Sequence, residues 1–220
     1  MLLLPPDGWT KVDRLNGRTT IARAGQTDYR AAIHPDLGHT AAVVARWSGN
    51  HCFHAGAVDF GAGALALFAN KGGGKSSTLG FAHTAGAEVL ADDVVVITDD
   101  AVFAGPRSLD LRPDAARQLG LETLVGHFAG RERHRLALPP CRPETPLRGF
   151  VTLAWGDRVE AVKLPASARL ARLIEGMTLR LEPRDPVALL KLTAVPAWVV
   201  TRPRSLDVLP EVAELLSQLR

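Results

Sequence analysis

The stretch Leu65-Ala66-Leu67-Phe68-Ala69-Asn70-Lys71-Gly72-Gly73-Gly74-Lys75-Ser76, followed by Asp92-Asp93, decides how this chain is read. Leu65 to Phe68 is a short apolar run suited to a buried strand, and Ser76 to Thr84 suits a helix. Between them lie three glycines whose lack of Cβ lets consecutive N–H groups turn inward around an anion. The strand–loop–helix order puts a helix N-terminus against that anion. Lys75 adds a charge that can reach β- and γ-phosphates, and the Ser76 hydroxyl is a magnesium ligand by type. Nucleotide binding is therefore expected over Asn70, Lys71, Gly72, Gly73, Gly74, Lys75, Ser76 and Ser77. The pattern G-x-x-x-x-G-K-[ST] has one departure, Ala69 at its first glycine position.

Asp92 follows Lys75 by 17 residues, enough for one helix, a turn and a short return strand over Val89-Leu90-Ala91. The acidic pair thus falls at a strand end beside the loop. Two adjacent carboxylates can divide the work, one holding magnesium while the other accepts a proton from an attacking hydroxyl. A surface turn is the plain alternative, since Asp is a common turn residue.

Composition narrows the class. The chain has 220 residues, 46% hydrophobic and 22% charged, which fits one domain over 1–220 with a sizeable core. A net charge of +3 is compatible with a polyanionic ligand and too weak and dispersed to argue for nucleic acid. Met1-Leu2-Leu3-Leu4 is stopped by Pro5-Pro6, and no stretch approaches the roughly 18 apolar residues of a membrane span. Two cysteines, Cys52 and Cys141, form no disulfide framework and no metal spacing. A soluble, cytoplasmic protein is the expectation.

Along the chain, residues 1–50 predict a short β-rich lead-in and 51–220 a catalytic core. Strands are expected over Thr20–Arg23 and Tyr29–Ile33. A turn falls at Pro35–Gly38, before a further apolar run from Ala41 to Trp47. His51 to Phe60 predicts one strand, turned by Gly61-Ala62-Gly63 into a hairpin with Leu65–Phe68. Strand Val94–Ile97, strand Leu109–Leu111 and a helix opening at Pro113-Asp114 follow. Gly130 to Arg148 predicts a basic strand edge and an exposed loop, a place for a lid or acceptor contact. Phe150–Trp155 and Val159–Leu164 predict a hairpin. Helices are expected over Ala166–Ile174, Pro186–Leu192 and Leu209–Leu219, with a last strand at Ala197–Thr201.

Taken alone, His54 is a packed histidine, Asp110 a solvent-facing acid, and Arg133 and Arg135 solvated charges. However, His54-Ala55-Gly56-Ala57-Val58-Asp59-Phe60, the loop through Ser76, Leu90-Ala91-Asp92-Asp93 and Leu109-Asp110-Leu111-Arg112 together resemble the HPr kinase/phosphorylase catalytic domain. The tail is similar to that of small HPr-kinase-like serine kinases, including those of lasso-peptide gene clusters. The specific likeness covers residues 54 to 112. It implies an α/β fold, a P-loop-bearing mixed sheet flanked by helices, and ATP- and magnesium-dependent phosphorylation of a serine hydroxyl. Carried over, Asp92, Lys75 and His54 are the catalytic candidates, and Ser76, Asp93 and Asp110 the magnesium candidates. Homo-oligomers occur in that family, so one is expected here. Ser77 stands where HPr kinases typically have Glu. A protein, a peptide and a small hydroxylated metabolite stand as alternative acceptors; a nucleotide-binding module without catalysis is the competing class.

Overall fold

The computed structural model describes residues 1–3, 8–25, 36–121, 124–128, 131–178 and 186–219; the expected strand Tyr29–Ile33 lies outside them. The chain opens with β1 (Leu2–Leu3), β2 (Gly8–Asp13) and β3 (Arg18–Arg23), an antiparallel three-stranded sheet. Helix α1 (Asp36–Trp47) follows, where a turn and an apolar run were expected. Its buried positions Gly38, Ala42, Val43 and Arg46 fall on one face at three- and four-residue spacing, a helical period that the apolar count alone conceals.

The expected strand His51–Phe60 is two strands, β4 (His51–Phe53) and β5 (Ala55–Asp59), broken at His54. β4 pairs with β8, whereas β5 pairs with β6 and β7, so the chain changes neighbours at the break. β5 and β6 (Ala64–Phe68) form the expected hairpin, with Asp59 Oδ1 accepting from the N–H groups of Gly61 (2.7 Å) and Gly63 (2.9 Å). Helix α2 (Lys75–Thr84), β7 (Glu88–Ala91), β8 (Val95–Thr98) and β9 (Ala101–Phe103) come next.

Strands β10 (Ser108–Leu111), β11 (Leu124–Phe128) and β12 (Arg131–Ala137) form a second three-stranded sheet, with α3 (Pro113–Gln118) between the first two. β12 is its middle strand, not an edge. The rest of the chain is β13 (Glu144–Trp155), β14 (Glu160–Lys163), α4 (Ala166–Gly176), α5 (Pro186–Lys191), a 3₁₀ turn, β15 (Ala197–Arg202) and α6 (Leu209–Gln218).

The main sheet has nine strands and is mixed. The expected hairpin of Phe150–Trp155 with Val159–Leu164 does not form. β15 lies between them, parallel to β13 and antiparallel to β14. The turn after Trp155 crosses the end of β15, with Gly156 N–H donating to Arg202 O at 2.9 Å. β13 therefore has parallel neighbours on both sides, β6 and β15. The carboxyl ends of these three strands, Phe68, Trp155 and Arg202, share one edge of the sheet, where open α/β sheets place their ligands.

Apolar side chains cover both faces of this sheet. One layer sets Leu65, Leu67 and Val151 against Leu79 of α2 and Val212 and Leu216 of α6. The other sets Phe53, Phe68 and Phe150 against Leu173 of α4 and Leu189 of α5. The Phe68 and Phe150 rings stack with centroids 5.7 Å apart. Each fully buried leucine contributes about 1.5–3 kcal/mol by removal from water, and this double cover fixes where β6 delivers the glycine loop. Among the described residues, no helix is long and apolar enough to cross a membrane.

Candidate functional site

The loop from Ala69 to Gly74 joins β6 to α2. Gly72 and Gly74 take φ of +80° and +82°, a region that disfavours side chains. Gly73 is excluded from substitution by space: a Cβ there would sit 2.9 Å from Ala69 Cβ and from Asn70 O. Ala69 itself is not among the positive-φ residues. Alanine at the first loop position therefore strains nothing, and the absent side chain at Gly73 makes room for its methyl. Gly74 caps α2, and no side chain caps its first turn, which holds no acid. The opening N–H groups of the helix thus remain available to an anion.

Lys75 is the first helical residue and is 8% exposed. Burial pushes its pKa down, offset in part by the charges of Asp92 and Asp93. Its Nζ stands 3.2 Å from His54 Nε2. A charged lysine only donates, so Nε2 accepts and the imidazole proton sits on Nδ1. Nδ1 in turn lies 3.1 Å from Asp93 O and 3.2 Å from Asp93 Oδ1. The break between β4 and β5 is what frees His54 to do this; its side chain is half exposed.

Asp92 and Asp93 follow β7 directly. Ser76 Oγ donates to Asp92 Oδ2 at 2.7 Å. Asp93 has φ +70°, uncommon for a residue other than glycine, and the tight bend closes with Val94 N–H on Asp92 O. The bend sends the two carboxylates to different partners, Asp92 to Ser76 and Asp93 to His54. Local strain of this kind concentrates where geometry serves function.

Asp110 reaches the same cavity from β10. Both of its oxygens accept from Arg135, opposite it on β12, at 2.6 Å from Nε and 2.7 Å from Nη2. The carboxylate is 5% exposed. The structure thus brings Asp110 to the cavity wall with both of its oxygens bound to Arg135.

These residues surround a cavity of about 560 Å³, within the range of small-molecule sites. Its wall includes all eight loop residues from Asn70 to Ser77, together with His54, Asp92, Asp93 and Asp110. From the basic segment 130–148, among the described residues, Arg133 contributes. The wall also holds Arg112, Asp114, Trp155, Arg202 and Arg204, of which Arg112, Asp114 and Trp155 lay in stretches with a sequence signal. Trp155 was legible as a strand end, Arg202 lay one residue past the expected strand Ala197–Thr201, and neither was legible as a neighbour of the loop.

The donor set suits magnesium and a phosphate chain. Ser76 and Asp92 offer hard oxygen ligands, and the loop is a cradle that a Cβ would fill. Among the described residues no three His, Cys, Asp or Glu side chains converge on one point. That suits an ion bound by one or two protein oxygens and substrate phosphates rather than by a full protein cage.

No protein-family model matches the chain, and no curated protein matches it. Among solved structures it is similar to the Hpr(Ser) kinase/phosphatase from Coxiella burnetii, with a TM-score of 0.40 and 11% identity. The match covers 75% of this chain and 93% of that one. A likeness of this size is a distant structural relationship and carries no weight for the chemistry, which rests on the residues themselves.

Proposed function

We propose that this protein is an ATP- and magnesium-dependent kinase that transfers the γ-phosphoryl group to a hydroxyl, with serine in a protein or peptide as acceptor. The observation that carries the proposal is the convergence of Lys75, the Ser76–Asp92 pair and the His54–Asp93 pair on one glycine loop. The resemblance of residues 54 to 112 favours serine as acceptor.

The loop N–H groups and Lys75 hold the phosphate chain and stabilise charge on the transferring group. Ser76 and Asp92 would hold magnesium, which supplies neutralisation of the phosphate oxygens when bound. This pairing reverses the division that the resemblance implies, since Asp92 and not Asp93 shares a hydrogen bond with Ser76. Asp93, oriented by His54, accepts the acceptor proton. The hydroxyl oxygen attacks the γ-phosphorus, the bond to the β–γ bridging oxygen breaks, and ADP leaves with those electrons. His54 also fixes Lys75, so one imidazole aligns the base and the phosphate-binding cation.

The two acids provide the test. Asp93→Asn should keep magnesium-dependent ATP binding and lose transfer to serine peptides, while Asp92→Asn should lose the magnesium dependence of binding. The opposite pattern would restore Asp92 as the base. ATP binding with no transfer to peptides, free serine or small alcohols would place the protein among nucleotide-binding modules instead.

A further inference from the structure

Trp155 ends β13 and Arg202 ends β15, at the sheet edge where β6 releases the glycine loop. Arg202 is 2% exposed, and its guanidinium carbon lies 4.4 Å from the Trp155 ring centroid. Its hydrogen bonds all run to carbonyls and all are long: Pro203 O at 3.4 Å, Ser205 O at 3.5 Å and Gly73 O at 3.4 Å. Its Nε is buried and donates to nothing. Arg204 is exposed, with its guanidinium carbon 5.7 Å from the same ring. Among the described residues, neither arginine forms an ion pair with a carboxylate.

A buried cation without an acid is costly unless an anion completes it. Here the cation adjoins the backbone of the phosphate-type loop, and an indole 42% exposed stands on the same cavity wall. An aromatic surface beside unpaired guanidinium groups suits a planar base joined to negative charge. The acids and His54 line the same cavity, where Lys75 and Ser76 meet them.

Resting on the kinase reading above, we propose that Trp155 is the stacking platform for the base of the nucleotide. Arg202 braces the ring and directs its charge to the phosphate chain. Exposed Arg204, 5.7 Å from the ring centroid, yields its place to the base. A purely structural role is the competing explanation: Trp155 and Arg202 would only prop the loop through Gly73 O.

Calorimetry with two probes separates these. MgATP carries a base; magnesium tripolyphosphate carries the charge without one. In Trp155→Ala, MgATP affinity should fall about 5- to 150-fold, the span of base–aromatic stacking, while tripolyphosphate affinity stays at wild-type level. Trp155→Phe should recover most of the loss. Equal losses for both ligands, or no loss for either, would overturn the proposal. Wild-type protein that binds neither ligand would instead refute the phosphate site, and the stacking site with it.

Discussion

Asp110 offers the sharpest separation between a structural and a metal-binding role. It lies directly opposite Arg135 in the β10–β12 ladder, and both its oxygens accept from that guanidinium at 2.6 and 2.7 Å. The two side chains are 5% and 13% exposed. Asp110→Ala removes the carboxylate to which both Nε and Nη2 of this buried guanidinium donate. Breaking a buried pair on one side typically costs about 3–5 kcal/mol, and the residual exposure of Arg135 favours the lower end. At about 2–4 °C per kcal/mol for a chain of this length, the melting temperature should drop by roughly 6–12 °C. Removing both charges in Asp110→Leu/Arg135→Met should return most of that stability, because the desolvation of two ions disappears with them. Thermal unfolding measures the first effect, and titration of ATP binding against magnesium measures whether metal affinity moves. If Asp110→Ala melts within about 2 °C of wild type yet binds ATP without magnesium dependence, Asp110 is a metal ligand and the argument from its pairing is wrong.

Other consequences follow from single residues. Gly73→Ala places a methyl 2.9 Å from Ala69 Cβ and Asn70 O, so the loop must shift; nucleotide affinity should fall at least about tenfold, with a stability loss of about 1–3 kcal/mol. Wild-type affinity in that variant would show that the loop geometry is not what binds. Cys52 is fully buried, and burial pushes its thiol up from 9.0 to about 11. In that window the unfolded chain releases the proton that the folded chain retains. The contribution is therefore complete below pH 9.0 and is lost as pH rises to about 11, a fall of at most about 2–3 kcal/mol. Cys52→Ala should lack this component when denaturant unfolding is compared below pH 9.0 and near 11; an identical fall in both proteins would refute the assignment.

The parts legible in the sequence are those that neighbouring residues dictate. The hairpin of β5 and β6 follows from two apolar runs around Gly61 and Gly63. Helix α2 follows from the glycine loop and ends at Thr84, just before Gly86, whose φ is +89°. The acids at the end of β7 follow from the length of one helix and one return strand. What escaped depends on distant pairing. Nothing local in Phe150–Trp155 shows that β15, more than forty residues later, displaces β14 as its partner. That displacement is what brings Trp155 and Arg202 to the loop. The break at His54 was hidden because His54 is not a turn-type residue, and only the exchange of strand partners exposes it. Asp110 was read as an isolated acid because its partner, Arg135, lies across a ladder 25 residues away.

The most direct test of the central claim is MgATP binding by calorimetry, wild type beside Lys75→Ala. Lys75 is buried at the head of α2 and held by His54, so its charge has few roles other than meeting phosphate. The account predicts magnesium-dependent binding to the wild type that is lost in a folded Lys75→Ala. Undiminished binding in that variant, or none to a folded wild type, would contradict it.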